Sequence, residues 1–152
     1  MASRPKDIVS KRKRSEMMRR VGQRLTPLET RVAALLRGMG HRFRTNNGNL
    51  PGTPDLSNRS RGWAIFVNGC FWHGHKNCAK TKSGIAPRVP ARNRRFWSAK
   101  IAGNRSRDAR KCRDLRRMGM RVLIVWECQL RAPEAVTARL RPWFERRSIE
   151  HL

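Results

Sequence analysis

The sequence predicts an α/β fold, a central mixed sheet flanked by helices, and three observations lead there. Two apolar runs of strand length, Trp63 to Val67 and Arg121 to Glu127, have the near-continuous hydrophobicity of buried central strands. Between them, from about Arg94 to Met118, Phe96, Trp97, Ile101, Cys112, Leu115 and Met118 supply scattered apolar contacts among many arginines and mark a long helix. A strand, a long helix and a second strand form a crossover unit, so the two strands are expected parallel in one sheet with a right-handed connection. With 152 residues and 38% hydrophobic content, the chain suits one compact domain.

Taken in order, residues 1–14 contain Lys6, Lys11, Arg12, Lys13 and Arg14 with few apolar residues, and read as a basic flexible arm. A single domain is assigned to residues 15–146 and a tail to 147–152. Thr26-Pro27-Leu28-Glu29 combines an N-cap threonine, proline at the first helical position and a glutamate placed to close a capping box. The helix it opens carries Leu28, Val32, Leu35, Leu36 and Met39 at helical spacing, and Gly38 and Gly40 end it. Residues 46–54 are dense in turn formers and deliver the chain to Asp55. A hairpin folded near residue 61 would set Asp55 opposite Val67. Residues 79–93 read as an irregular basic loop. Pro133 is expected to open a last helix bearing Val136 and Leu140, with Pro142 ending or kinking it.

Charge narrows the partner. Thirty-six Lys and Arg against 10 Asp and Glu give a formal net charge of +26. A surface that repels itself so strongly calls for an acidic ligand, and polyphosphate is the obvious one. Charge alone does not separate an enzyme from a ribosomal-type binder. The sequence lacks an apolar run of membrane-spanning length, and its basic start lacks the apolar segment of a secretory signal, so it reads as a cytoplasmic protein with no membrane association. Its cysteines are then reduced and better read as metal ligands than as disulfides.

Cys70, His75, Cys78 and Cys128 form a Cys3His set. Three come from one loop, and the fourth follows the second strand, whose C-terminal end the parallel topology brings alongside. Thiolates and imidazole suit tetrahedral zinc, and four protein ligands make a site structural. The competing reading is that some of these cysteines are small buried hydrophobes, which fits Cys112 well. His73 stands beside the cluster without being needed by it, and is available for chemistry.

Cleavage of a phosphodiester with Mg2+ needs a carboxylate and further oxygens to hold the ion, and a group to activate water. Asp55 is distinctive among the acids, following a Pro/Gly-rich loop and leading toward a strand. The backbone carbonyl of Val67 is a candidate second ligand. Simpler readings stand beside these: Asp55 as a turn residue, Glu29 as a cap, and Asp108 in a surface ion pair with Arg105 or Lys111.

The segments Leu50-Pro-Gly-Thr-Pro-Asp55, Phe66-Val-Asn-Gly-Cys-Phe-Trp-His-Gly-His75, Asn104-Arg-Ser-Arg-Asp108 and Arg121-Val-Leu-Ile-Val-Trp-Glu-Cys128 resemble those of the very-short-patch DNA mismatch repair endonucleases, in order and approximate spacing. The resemblance covers roughly residues 12–130. It implies a bacterial nicking enzyme with a restriction-endonuclease-like core, cutting 5′ to the thymine of a T:G mismatch left by deaminated 5-methylcytosine. Carried over by position, it implies Asp55 as the Mg2+-binding aspartate, Val67 as the backbone carbonyl ligand, and His73 as the active-site histidine. Glu29 and Asp108 match acids that orient water or histidine. Cys70, His75, Cys78 and Cys128 match the Zn2+ ligands. Phe71 and Trp72 match an aromatic wedge pushed into the base stack, and Met18 an apolar residue entering from the opposite groove; a mismatched step costs less to unstack. Two positions depart from the pattern. Asn68 stands where some members carry a histidine used for acid/base work, and asparagine can only orient. The loop between His75 and Cys78 is one residue longer than in some relatives.

A monomer acting on double-stranded DNA, with other mismatch repair proteins as partners, is the expectation. The alternatives are a non-enzymatic zinc-containing nucleic-acid-binding module, which leaves Asp55 and His73 unexplained, and a restriction or defence nuclease of the same fold.

Overall fold

The computed structural model describes Arg12, Lys13, residues 25–76, Cys78 and residues 91–149. Most of the basic arm, Met18, most of the 79–93 loop and the end of the tail lie outside the described residues.

Helix α1 spans Pro27–Gly38. Its capping box is formed as the sequence anticipates: the Thr26 hydroxyl accepts from the Glu29 N–H at 3.3 Å, and Glu29 Oε2 accepts from the Thr26 N–H at 3.1 Å. Four strands follow in the order β1 (Arg44–Thr45), β2 (Leu56–Asn58), β3 (Trp63–Asn68) and β4 (Arg121–Trp126), and they lie in that order in one sheet. The pairs β1/β2 and β2/β3 are antiparallel, and β3/β4 is parallel, in register from Trp63↔Arg121 to Asn68↔Trp126. Helix α2 (Arg94–Arg117) makes the crossover between β3 and β4. A 3-10 turn, Glu127–Arg131, leads to α3 (Pro133–Ile149).

All six residues of β3 are buried, as a strand covered on both faces must be. Period-two alternation then sorts its side chains. Trp63, Ile65 and Val67 join Val32, Leu36, Leu123, Val125, Leu130 and Leu140 in a core under α1 and α3. Ala64 and Phe66 join Leu50, Cys112 and Leu115 in a second core under α2. The sheet is therefore sandwiched between α1 and α3 on one face and α2 on the other. Cys112 packs as a buried small hydrophobe, 6% exposed.

Three expectations need correction. The β2/β3 register runs Leu56↔Ile65, Ser57↔Ala64 and Asn58↔Trp63, which carries Asp55 opposite Phe66 and not Val67, because the turn is centred half a residue earlier than anticipated. Helix α3 does not end at Pro142 but continues to Ile149. Trp143 and Phe144 pack on the first core, Phe144 stacks on His41 at 3.8 Å, and Arg121 lies 4.3 Å over the Trp143 ring. These contacts outweigh the roughly 3 kcal/mol a helical proline costs. Finally, Phe96 is not a helix contact with the core: it is 59% exposed.

The loop before Asp55 turns through Gly52 at φ +75° and Thr53 at φ 47°. A Cβ at Gly52 would stand 2.4 Å from Lys111 Cγ, so only glycine lets the loop seat against α2. Gly52→Ala is expected to cost about 1–3 kcal/mol, seen in thermal unfolding followed by circular dichroism as a fall of about 2–4 °C per kcal/mol. An unchanged midpoint would refute this account of the turn.

Candidate active site and metal centre

Two groups of side chains gather at the C-terminal edge of β3 and β4. The first centres on Asp55. Its main-chain carbonyl accepts from the Asn46 N–H at 3.0 Å, and its Oδ2 accepts from the Val67 N–H at 2.7 Å. A residue in an extended strand turns its N–H and C=O to the same side, so the Val67 carbonyl also faces the β2 side, where Asp55 sits. Burial pushes the Asp55 carboxyl up to about 7; the Val67 N–H opposes this, the charge and hydrogen bond of Glu29 add to it, and Lys111 opposes it. Glu29 thus does two things. It closes the capping box of α1 and faces Asp55, so the local and the site readings of this residue coexist.

The second group follows from alternation in β3. Val67 faces α1, so Asn68 faces α2, and it is 5% exposed. It lines a cavity of about 480 Å3 with His73, Asp108, Arg105, Arg113 and Trp126. His73 Nδ1 lies 2.6 Å from Asp108 Oδ2. An ionised carboxylate only accepts, so Nδ1 carries the proton and Nε2 is left to accept or donate toward the cavity. Asp108 therefore pairs with a histidine 35 residues away in sequence, not with the arginine or lysine on its own helix. Asn68, Asp108 and Lys111 also line a smaller adjoining space.

The loop after β3 carries the remaining residues. Gly74 has φ +57°, and a Cβ there would stand 2.6 Å from Ile101 Cγ2. This close approach to α2 lets His73 and His75, on either side, turn to different partners. His75, Cys70, Cys78 and Cys128 place one donor atom each within 4.8 Å of one another. A tetrahedral ion with Zn–S bonds of about 2.3 Å has sulfur atoms about 3.8 Å apart, so this cage fits such an ion. Cys128 Sγ is 3.5 Å from His75 Nδ1, and the Cys128 N–H donates to Cys70 Sγ at 3.4 Å. Burial, together with Cys78 and Cys128, pushes the Cys70 thiol up to about 12. Such a thiol ionises only against a cation. The four donors can thus hold a metal ion.

Several supporting residues had no signal in the sequence. Trp126 stacks on His75 at 4.0 Å and 9°, fixing the imidazole plane. Glu127 Oε2 accepts from the Cys70 N–H at 3.3 Å. Lys111 lies near enough to Asp55 for its charge to lower the carboxyl's pKa, although its spacing to Asp108 suggested only a local ion pair. Phe71 and Trp72 pack edge-on at 5.2 Å, and both contact Trp97, whose neighbour Phe96 extends the cluster along α2. Trp72 remains 47% exposed. Lys100 lies over the Trp72, Trp97 and Phe96 rings at 5.5–5.9 Å. The Asn104 amide donates to the Trp72 carbonyl at 2.8 Å and ties this loop to α2. Met18 lies outside the described residues.

Residues 6–80 match the family described as DNA mismatch endonuclease Vsr. The chain is 43% identical over 142 residues to the DNA mismatch endonuclease Vsr of Escherichia coli K12, covering 90% of this chain and 86% of the relative. It is 42% identical over 135 residues to the type II nicking enzyme V.XorIIP of Xanthomonas oryzae pv. oryzae, covering 89% and 94% of the two chains. A third relative, the type II nicking enzyme V.NmeAIP of Neisseria meningitidis, is 34% identical over 134 residues, covering 88% and 91%. With nearly the whole chain matched at such identity, and with the α/β core and metal-binding cage in place, this protein belongs to the DNA mismatch endonuclease Vsr family.

Proposed function

We propose that this chain is a magnesium-dependent endonuclease that nicks one DNA strand 5′ of the thymine in a T:G mismatch. The juxtaposition of Asp55, Glu29 and the Val67 main chain carries this reading. A half-buried carboxyl raised to about 7 by burial, with a smaller contribution from a second acidic side chain, and with a peptide carbonyl on the same side, is a set of hard oxygen donors that suits Mg2+. Bound there, the ion would supply charge neutralisation at the scissile phosphate.

The chain's own groups supply the rest. His73, oriented by Asp108 through Nδ1, presents Nε2 to take up or return a proton within hydrogen-bond reach of the cavity. Asn68, which cannot titrate, orients a water or a phosphate oxygen through its amide. Lys111, close to Asp55 and to the Asn68 crevice, adds a fixed positive charge where phosphate charge accumulates. The exposed ring of Trp72 and the half-buried ring of Phe71, backed by Trp97, are a rigid apolar edge suited to entering a weakened base step. Cys70, His75, Cys78 and Cys128 would hold Zn2+, tying the loop that bears His73 and both rings to the end of β4.

The relatives' names include both mismatch endonuclease and type II nicking enzyme, so restriction-linked nicking is the second reading. Duplexes with and without a T:G pair, incubated with Mg2+ or EDTA, separate the possibilities. Nicking confined to the T:G duplex and abolished by EDTA is expected; cutting both duplexes supports the second reading, and cutting neither defeats both. Asp55→Ala should lower the nicking rate at least 100-fold, a loss typical of a residue holding the catalytic centre, while DNA affinity in a gel-shift assay changes little. A fully active Asp55→Ala protein removes this residue from the mechanism.

Two further outcomes follow. Cys70→Ser should lower bound zinc, measured by atomic absorption, and reduce the thermal midpoint; unchanged zinc content overturns the ligand assignment. Asp55 also makes stability depend on pH. Its carboxyl binds a proton up to about pH 7 in the folded state, but only to about 3.9 when unfolded. Its contribution is therefore intact below about pH 4 and is lost as pH rises toward 7. In magnesium-free buffer, Asp55→Asn is expected to gain stability over the parent progressively across that window. Parallel stability curves for the two proteins would contradict this.

A further inference from the structure

Away from the gathered carboxylates, the β1/β2 end of the sheet holds a cavity of about 590 Å3 lined by Arg42, Phe43, Arg44, Asn47, Asn49, Ser57, Asn58, Arg59 and Ser60. Its composition follows from strand geometry. Arg44 pairs directly with Ser57 across β1 and β2, so both side chains leave the sheet on the same face. No acidic residue lines the cavity, and among the described residues none of the three arginines has an ion-pair partner. At its wall, Ser57 is 0% exposed, and its hydroxyl is the buried side-chain polar atom that lacks a hydrogen-bond partner among the described residues. A buried hydroxyl persists when something serves it. Guanidiniums, asparagine amides and one hydroxyl offer donors together, which is the complement of a phosphate group.

We propose that this cavity is a phosphate-binding site that grips a backbone phosphate of the DNA duplex near the nick, independently of base sequence. The source of the phosphate rests on the reading of this chain as a DNA nickase; the site itself does not. Ser57 stands two strand residues, about 7 Å, beyond Asp55 along β2, so a phosphate held there belongs to the same stretch of backbone. The contact would fix the register of the duplex over Asp55 without reading a base.

Binding of full-length protein to a T:G duplex and to its matched counterpart, followed by fluorescence anisotropy in magnesium-free buffer at several salt concentrations, tests this without requiring cleavage. One lost phosphate contact makes the slope of log affinity against log salt shallower by about 0.9. That change is expected for Arg44→Ala/Arg59→Ala, equally on both duplexes. Ser57→Ala leaves the net charge alone and separates a built site from a generally basic surface: it should weaken affinity severalfold and reduce the shift of the Arg44 amide when orthophosphate is titrated into 15N-labelled protein. If both variants match the parent in slope and in phosphate response while keeping its thermal midpoint, the site does not exist. If slopes are unchanged but Ser57→Ala abolishes the orthophosphate response, the ligand is free phosphate and not the duplex. Failure of the parent to nick any duplex would instead count against the function proposed above, leaving these binding comparisons readable.

Discussion

The parallel ladder between β3 and β4 constrains nearly everything else in this molecule. Parallel strands cannot be joined by a short turn; the crossover must pass over the sheet, and α2 is that crossover. Because both strands run the same way and in register, their C-terminal ends emerge side by side at Asn68 and Trp126. Cys70 and Cys128 follow within two residues of those ends and meet in one cage. The same crossover lays α2 over the opening, so that Asp108 meets His73 and the charge of Lys111 acts on Asp55. A one-residue slip of this ladder would turn the side chains of β4 to the opposite face and shift Cys128 away from Cys70.

A second constraint is electrostatic. In a chain with 36 basic and 10 acidic residues, a carboxylate finds a cationic partner easily. Asp55 and Glu29 instead face one another. Their pairing is maintained by two independent local devices, the capping box that fixes Glu29 at the start of α1 and the glycine turn that seats the loop carrying Asp55 against Lys111. A half-buried carboxyl beside a second acidic side chain, in so basic a chain, is the arrangement on which the proposed cation site rests.

The cluster of Cys70, His75, Cys78 and Cys128 and the rings of Phe71 and Trp72 are mechanically one unit. The loop from Gly69 to Lys76 holds only short elements of its own, with His73 N–H bonded to the Gly69 carbonyl and His75 N–H to that of Cys70. It is anchored by Trp126 against His75 on one side and by Asn104 and Ile101 of α2 on the other. A rigid base behind Phe71 and Trp72 suits the wedging role proposed for them, since a side chain can separate stacked bases only if its own support does not yield.

The sequence by itself determined the helices, the two long strands and their parallel pairing. Each rests on a local signal: the threonine-to-glutamate cap at residues 26–29, apolar runs of strand length, and a topological rule about crossovers. It also drew Cys70, His75, Cys78 and Cys128 into one set, because that rule brings two strand ends together. Strands β1 and β2, with two and three residues, are too short to show a period and emerged only in the fold. Tertiary structure alone decided what lies through space from what. Glu29 against Asp55, Trp126 on His75, Lys111 beside Asp55, the orphaned hydroxyl of Ser57, and the persistence of α3 past Pro142 all depend on how helices dock on opposite faces of the sheet. A raised carboxyl at Asp55 likewise has no signature in composition or spacing, because burial is a property of the packed chain and is absent from any segment of it taken alone.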